Sequence, residues 1–139
     1  MMDLTLDQAR RIVDAALERG RQLDLAPLAV AVLDAGGHLK AFGREDGAGI
    51  IRPQIAIGKA WGALGMGMGT RALAGKSTEF LGALAAMSGG NVVPSPGGVL
   101  ILSGDRLIGA VGVTGDTGSN DETCAVAGIE AVGLEPDTG

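Results

Sequence analysis

At 139 residues, 46% of them hydrophobic and 19% charged, the chain is long enough for one domain with a real core and too apolar for disorder. A net charge of −5, with Phe42, Trp61 and Phe80 the only aromatics, argues against general nucleic-acid binding, which needs clustered Lys and Arg and stacking platforms. No charge-free apolar run reaches the about 18 residues of a membrane span, the first residues lack a signal-peptide pattern, and the lone Cys124 excludes an internal disulfide, so the expected location is the cytoplasm.

Thr5-Leu6-Asp7-Gln8 reads as a capping box, with Thr5 as N-cap. Ala9, Ile12, Val13, Ala16 and Leu17 then recur at helical spacing, which predicts a helix with one buried face whose end is weakened at Gly20. Leu28 to Leu33 is an apolar run that predicts a strand buried on both faces. Asp34-Ala35-Gly36-Gly37 is a turn, and His38 to Gly43 the returning strand of a hairpin. Alternation groups His38, Lys40 and Phe42 on one face of it, and Leu39 and Ala41 on the other.

About Ile51 to Met68 a helix is predicted despite a stripe of glycines at 58, 62, 65 and 69. Each costs up to about 1 kcal/mol against alanine, so another backbone is expected close by, from a sheet, a helix or a second subunit. Ile57, Ala60, Trp61, Leu64 and Met68 make the opposite face apolar too, which hints at oligomerisation. A second helical stretch spans Arg71 to Met87, followed by the glycine- and proline-rich loop 88–98. Val99 to Ser103 and Leu107 to Thr114 predict a hairpin turning at Gly104-Asp105. Ser119-Asn120-Asp121-Glu122 offers a capping box for a last helix carrying Ala125, Val126, Ile129 and Val132. Helix, hairpin, helices, hairpin and helix in that order predict an α+β fold, with residues 1–139 a single domain.

Two motifs fail on inspection. "AGKST" at 74–78 resembles the end of a phosphate loop, but Thr70 stands where its first glycine belongs and no strand precedes it. "GMGMG" at 65–69 lacks the third glycine and the strand of a dinucleotide site. At 109–122, strand, glycine loop and helix start follow one another, yet Asp116, Asp121 and Glu122 already supply negative charge there, so a protein carboxylate rather than a phosphate is expected at that helix end. One histidine and one cysteine cannot build a zinc-type site, so no metal is expected. Cys124 falls in the apolar rhythm of the last helix and reads as a buried thiol. Lys59 stands out on an apolar helix face. It either pairs with a carboxylate such as Asp34 or Asp46, or meets an anionic ligand or moves a proton.

"VAVLDAGGHLKAF", "EDGA", "AIGKAWGAL", "VVPSPGGVLIL" and "IGAVGVTGDTGSNDETCAVAGIEAV" occur in an order that resembles the GlcG/HbpS-like family, also met as the C-terminal domain of PduO-type proteins. The resemblance covers roughly residues 4–134. It implies a central antiparallel five-stranded sheet flanked by helices, with profilin-like layering, assembled into dimers or larger homo-oligomers. It also implies haem as a possible cofactor, since members are described as haem-binding and sometimes haem-degrading. Asp34, Gly36 and Gly37 match the family's first turn, Asp46 and Gly47 its acidic-glycine pair, and Lys59 its helix lysine. Pro94, Gly97 and Gly98 match its central loop, and Gly112, Thr114, Gly115 and Asp121 its last motif. This chain departs from the pattern at Gly58, Trp61, Gly62 and Gly65, and has no histidine in the first helix, where some relatives draw an axial ligand.

The expected function is therefore a cytosolic oligomer that binds a small anionic or planar ligand, with no nucleic-acid or membrane partner. Lys59, Met66, Pro94, Gly97, Gly98 and Thr114 are its candidate ligand contacts. Arg44 or Arg52 are further cations for porphyrin propionates, and Val92 and Val93 further apolar walls. His38 is expected to serve the hairpin turn. The alternative is a cofactor-independent isomerase or lyase on a small hydroxy or keto acid, with Lys59 as anchor or base and Asp34, Asp46 or His38 as proton partner. A structural or regulatory subunit is the third reading.

Overall fold

The computed structural model describes residues 3–139. Helix α1 (Leu6–Gln22) leads into the hairpin β1 (Ala29–Asp34) and β2 (Leu39–Arg44), then helices α2 (Arg52–Met66), α3 (Thr70–Ala74) and α4 (Thr78–Met87). The second hairpin, β3 (Gly98–Ser103) and β4 (Arg106–Thr114), is followed by helix α5 (Gly118–Ala131) and a short strand β5 (Glu135–Asp137). The five strands form one sheet in the order β2-β1-β4-β3-β5, and every neighbouring pair is antiparallel. This is the α+β architecture expected. Residue patterning alone yields four of its strands. The fifth is Glu-Pro-Asp, too short and polar to read as a strand, and its proline is tolerated because it pairs at a sheet edge.

Strand alternation divides the core into two layers. Val30, Val32, Val99, Ile101, Val111 and Val113 point to one face, where they pack with Ile12 and Ala16 of α1 and Ala125 and Ile129 of α5. The other face meets α2 through Ala29, Ala31, Leu33, Leu100 and Ala110. Most of these are small, and Gly98 and Gly112 lie among them. A Cβ at Gly112 would overlap the Ala56 carbonyl, and one at Gly98 would strike the Lys59 carbonyl. The α2 backbone therefore sits directly on the sheet.

That contact is made by the sheet's glycines, not by the α2 stripe. At Gly58 and Gly62 the stripe admits the chain's own loop, a Cβ coming 2.7 Å from Val93 and 2.9 Å from Val92, and Gly65 faces open space; at Gly69, just past α2, the Thr138 backbone comes close as expected. Two other expectations shift. Gly20 falls in the last turn of α1, which runs on to Gln22. Gly20 is buried there because a Cβ would crowd Leu28 at 2.5 Å. The stretch 71–87 breaks at Gly75-Lys76-Ser77, with Gly75 capping α3 and the Ser77 side chain accepting the Phe80 N–H to start α4. The N-cap of α5 is Thr117, whose side chain accepts the Asn120 N–H, so Ser119 lies inside the first turn.

Candidate functional site

Lys59, the charge that the sequence places on an apolar helix face, meets Asp121 where β4 ends. Lys59 reaches from α2 past the sheet, and its Nζ donates to the Val113 carbonyl at 2.8 Å and to Asp121 Oδ2 at 3.1 Å. Its partner is thus neither Asp34 nor Asp46. Lys59 is 3% exposed and Asp121 1%, so the pair is sealed. Asp121 Oδ1 accepts the Asp116 N–H, and the Asp116 carboxylate accepts N–H groups of Ala26, Thr117 and the Asn120 side chain. Protein carboxylates accordingly occupy the start of α5. Burial pulls the Lys59 ammonium below its usual range and pushes the Asp121 carboxyl above its own, each opposed by the charge of the other.

The neighbouring candidates belong to the same closed interior. A Cβ at Gly97 would lie 2.9 Å from Lys59 Nζ. The Gly98 N–H donates to Thr70 Oγ1 at 2.8 Å, and that hydroxyl donates to the Ser95 carbonyl at 2.6 Å. Thr114 is 1% exposed and its hydroxyl accepts from Arg52 Nη1 at 2.9 Å. Among the described residues no buried side-chain N or O atom lacks a partner. Lys59, Gly97, Gly98 and Thr114 therefore tie α2, β3, β4 and α5 together. Met66 and Pro94 are only half-buried. Sequence reasoning gave Thr70 no such role, because nothing in the chain marks which threonine will meet the Ser95 and Gly98 carbonyls. It also missed Arg71, which pairs with the nearly buried Glu122.

Asp34 and His38 come together at the first turn. Asp34 Oδ1 accepts the Gly36 and His38 N–H groups, each at 3.0 Å, and lies 3.2 Å from His38 Nδ1. Slight burial raises the Asp34 carboxyl, but these hydrogen bonds outweigh it and hold the group below the usual carboxylate range. His38 is 81% exposed at its side chain, so the imidazole closes a surface turn, as expected. Asp46 lies near the opposite end of the hairpin, because Arg44 pairs with Ala29 while Asp34 ends β1. The four residues considered for proton transfer thus occupy three places.

Open concavities lie beside these elements, among them two of more than 400 Å³. One, of about 440 Å³, is lined by Arg21, Pro27, Arg44, Glu45 and Asp46. Arg21 is held there by Glu45 at 3.0 Å, and Arg44 donates to the Ala48 carbonyl. The exposed Ile50 and Ile51 follow closely in the chain, and Arg52 opens α2. The other, of about 500 Å³, lies between α2 and the loop after α4, lined by Gln54, Ile57, Gly58, Trp61, Gly89, Gly90 and Asn91. It has no charged residue in its lining.

Comparison with known proteins agrees with this architecture. The family described as haem degrading protein HbpS-like matches residues 4–130. The corrinoid adenosyltransferase PduO of Salmonella typhimurium is 29% identical over 133 residues, covering 94% of this chain and 39% of that protein. The chain therefore spans about two-fifths of the PduO relatives it matches. The crystal structure of the PduOC:haem complex superposes with a TM-score of 0.88 at 28% identity, covering 96% of this chain and 97% of that one. A double mutant of HbpS from Streptomyces reticuli gives 0.81 at 27% identity, covering 95% and 88%.

Proposed function

The chain belongs to the HbpS-like family, and on that premise we propose that it is a self-associating cytosolic protein that binds a small anionic or planar ligand, with haem as the precedent. The observation that carries this reading is the likeness to a haem complex over 96% of the chain. The groove lined by Arg21, Pro27, Arg44, Glu45 and Asp46 supports it, since about 440 Å³ lies within the range of small-molecule sites. Arg44 there supplies a guanidinium group suited to carboxylates. Ile50 and Ile51, exposed a few residues past Asp46, would supply apolar surface for a ring.

The fit to haem is to its carboxylate edge and ring. No histidine, cysteine or methionine lines the groove. His38 sits on an exposed turn and Cys124 is buried in the core. Bound haem would bring redox chemistry at its iron, while this chain's residues would hold the propionates and shield the ring. Lys59, Gly97, Gly98 and Thr114 do not line this groove; they tie α2, β3, β4 and α5 together. Self-association is supported by large apolar side chains left in water, Ile50 at 96% and Met87 at 73% exposure. Among the described residues no helix is long and apolar enough to cross a membrane.

The test is a haemin titration of the purified protein, followed in the Soret region against an inert-protein control. A saturable, sharpened band near one haemin per subunit or per dimer is the expected result. Control-like, unsaturable drift would overturn the haem assignment. The isomerase or lyase alternative has less support, because Lys59 is sealed against Asp121 and does not face its proposed proton partners.

A further inference from the structure

The cleft between α2 and the loop after α4 shares no lining residue with the Arg44 groove, and its chemistry differs. Gln54, Ile57, Gly58 and Trp61 recur at helical spacing, so one face of α2 supplies its floor. The amide and the indole stand two turns of that helix apart, about 10 Å. Gly89, Gly90 and Asn91 form the opposite wall. The two glycines take φ of +67° and +83°, a region that L side chains rarely adopt, so the wall there is bare backbone.

Both walls are fixed in place. The Val93 N–H donates to the Gly58 carbonyl at 3.3 Å and ties the loop to α2. Asn91 Nδ2 donates to the Ser88 carbonyl at 2.8 Å. Trp61 is braced by the turn of the first hairpin, where a Cβ on Gly37 would come 3.4 Å from indole Cδ1 and Nε1. The ring is still 37% exposed.

What these residues leave for a ligand is selective. With no charged side chain in the lining, an ion of either sign finds no counter-charge. The N–H groups of Gly89, Gly90 and Asn91 are spent on the Ala86, Ala85 and Ser88 carbonyls, so the loop offers acceptors, Asn91 Oδ1 among them. The Gln54 amide has no protein partner among the described residues. A polyol, with a hydroxyl on nearly every carbon, would leave most of them unpaired against two amide side chains. A wholly apolar molecule would strip water from those amides and return nothing. A flat ring with apolar faces and an N–H edge satisfies indole, amides and loop together.

We propose that this cleft binds a neutral, amino-bearing nitrogen heterocycle of nucleobase type, as free base or nucleoside. Its ring stacks on Trp61, its N–H edge meets Asn91 and the glycine loop, and Gln54 bonds the remaining edge. One aromatic platform without Lys or Arg suits a lone base rather than a nucleic-acid strand. Nothing in this assignment depends on the groove or on haem.

Trp61 is the only indole and the chain has no tyrosine, so its emission reports on the cleft directly. The experiment titrates the protein with adenosine, with purine riboside (the same ring without the amino group), with adenosine 5′-phosphate and with glucose. Adenosine should give a saturable change. Purine riboside should bind about five-fold more weakly for the lost hydrogen bond. The phosphate should also bind more weakly, because its charge meets no cation in a chain of net charge −5, and glucose should do nothing. By calorimetry, Trp61→Leu and Gln54→Leu should each weaken adenosine binding about five-fold or more. Both positions are exposed, so circular dichroism should show unchanged folds. Arg44→Ala, in the separate groove, should leave adenosine binding unaltered.

Absence of a saturable change up to the solubility of adenosine would overturn the proposal. So would binding that both cleft variants leave intact, or that Arg44→Ala abolishes, which would move adenosine to the groove. Equal or tighter binding of the phosphate, of glucose or of purine riboside would each overturn it too, in favour of an anion site, a polyol site or a site blind to the N–H edge. Failure of the haemin titration with adenosine still bound would count against the haem assignment alone.

Discussion

Two regions beside α2 hold basic and acidic side chains together, and they use them differently. At the end of β4, Lys59 and Asp121 are sealed, with hydrogen bonds to the Val113 carbonyl and the Asp116 N–H. In the groove, Arg44 and Asp46 stand open to water, while the half-buried Glu45 pairs with Arg21. The closed pair costs desolvation and is spent on joining layers. The open one keeps its charge available. A charge in an apolar stretch of sequence thus marks burial as readily as it marks a ligand.

The contrast is sharpest in stability. Lys59→Ala leaves the Asp121 carboxylate buried without its partner and should cost about 3–5 kcal/mol in urea unfolding. Arg44→Ala in the groove should stay within about 0.5 kcal/mol. Similar losses for the two would erase the distinction.

Thr70→Val comes next. It strips the buried Gly98 N–H of its acceptor, and a loss of about 1–3 kcal/mol is expected by the same measurement. Conversely, Arg44→Ala should weaken haemin binding about five-fold, roughly 1 kcal/mol, with the melting temperature unchanged. Unaltered affinity would remove Arg44 from the site.

Acid should reveal a smaller effect. Hydrogen bonds from the Asn120 side chain and the Thr117 and Ala26 backbones hold Asp116 below its usual pKa, and Asp34 is lowered too. A lowered folded-state pKa stabilises the fold above the ordinary carboxyl value of 3.8, and that contribution is lost as pH falls through the folded value. Melting temperature should therefore drop as pH is taken below about 4, and less steeply in Asn120→Ala. A steeper drop in that variant would contradict the assignment.

The smallest signal expected is none at all. Burial raises the Cys124 thiol to about 11, so a thiol reagent at pH 8 should label nothing in the native protein and one group in denaturant. Prompt native labelling would show that the core around α5 opens.

Much of this was legible beforehand. The capping box at Thr5, the doubly buried run at Leu28–Leu33, the two hairpins and the α+β class follow from periodicity and turn chemistry, which are local. His38 as a turn residue and Cys124 as a buried thiol followed from their neighbours in the chain. The order of motifs identified the family, since spacing and residue type survive where overall identity has fallen to 29%.

What the chain could not disclose was long-range. That Lys59 would choose Asp121, 62 residues away, over Asp34 or Asp46 depended on how α2 and α5 lie against the sheet. The strand Glu135–Asp137 exists only because β3 offers an open edge. The glycines of α2 were visible as a stripe, but only packing shows that they admit Val92 and Val93 while Gly98 and Gly112 let the helix onto the sheet. Local sequence sets which residues prefer a helix, a strand or a turn. Which charges end up sealed, and which apolar faces stay bare, is decided when distant elements compete for the same space.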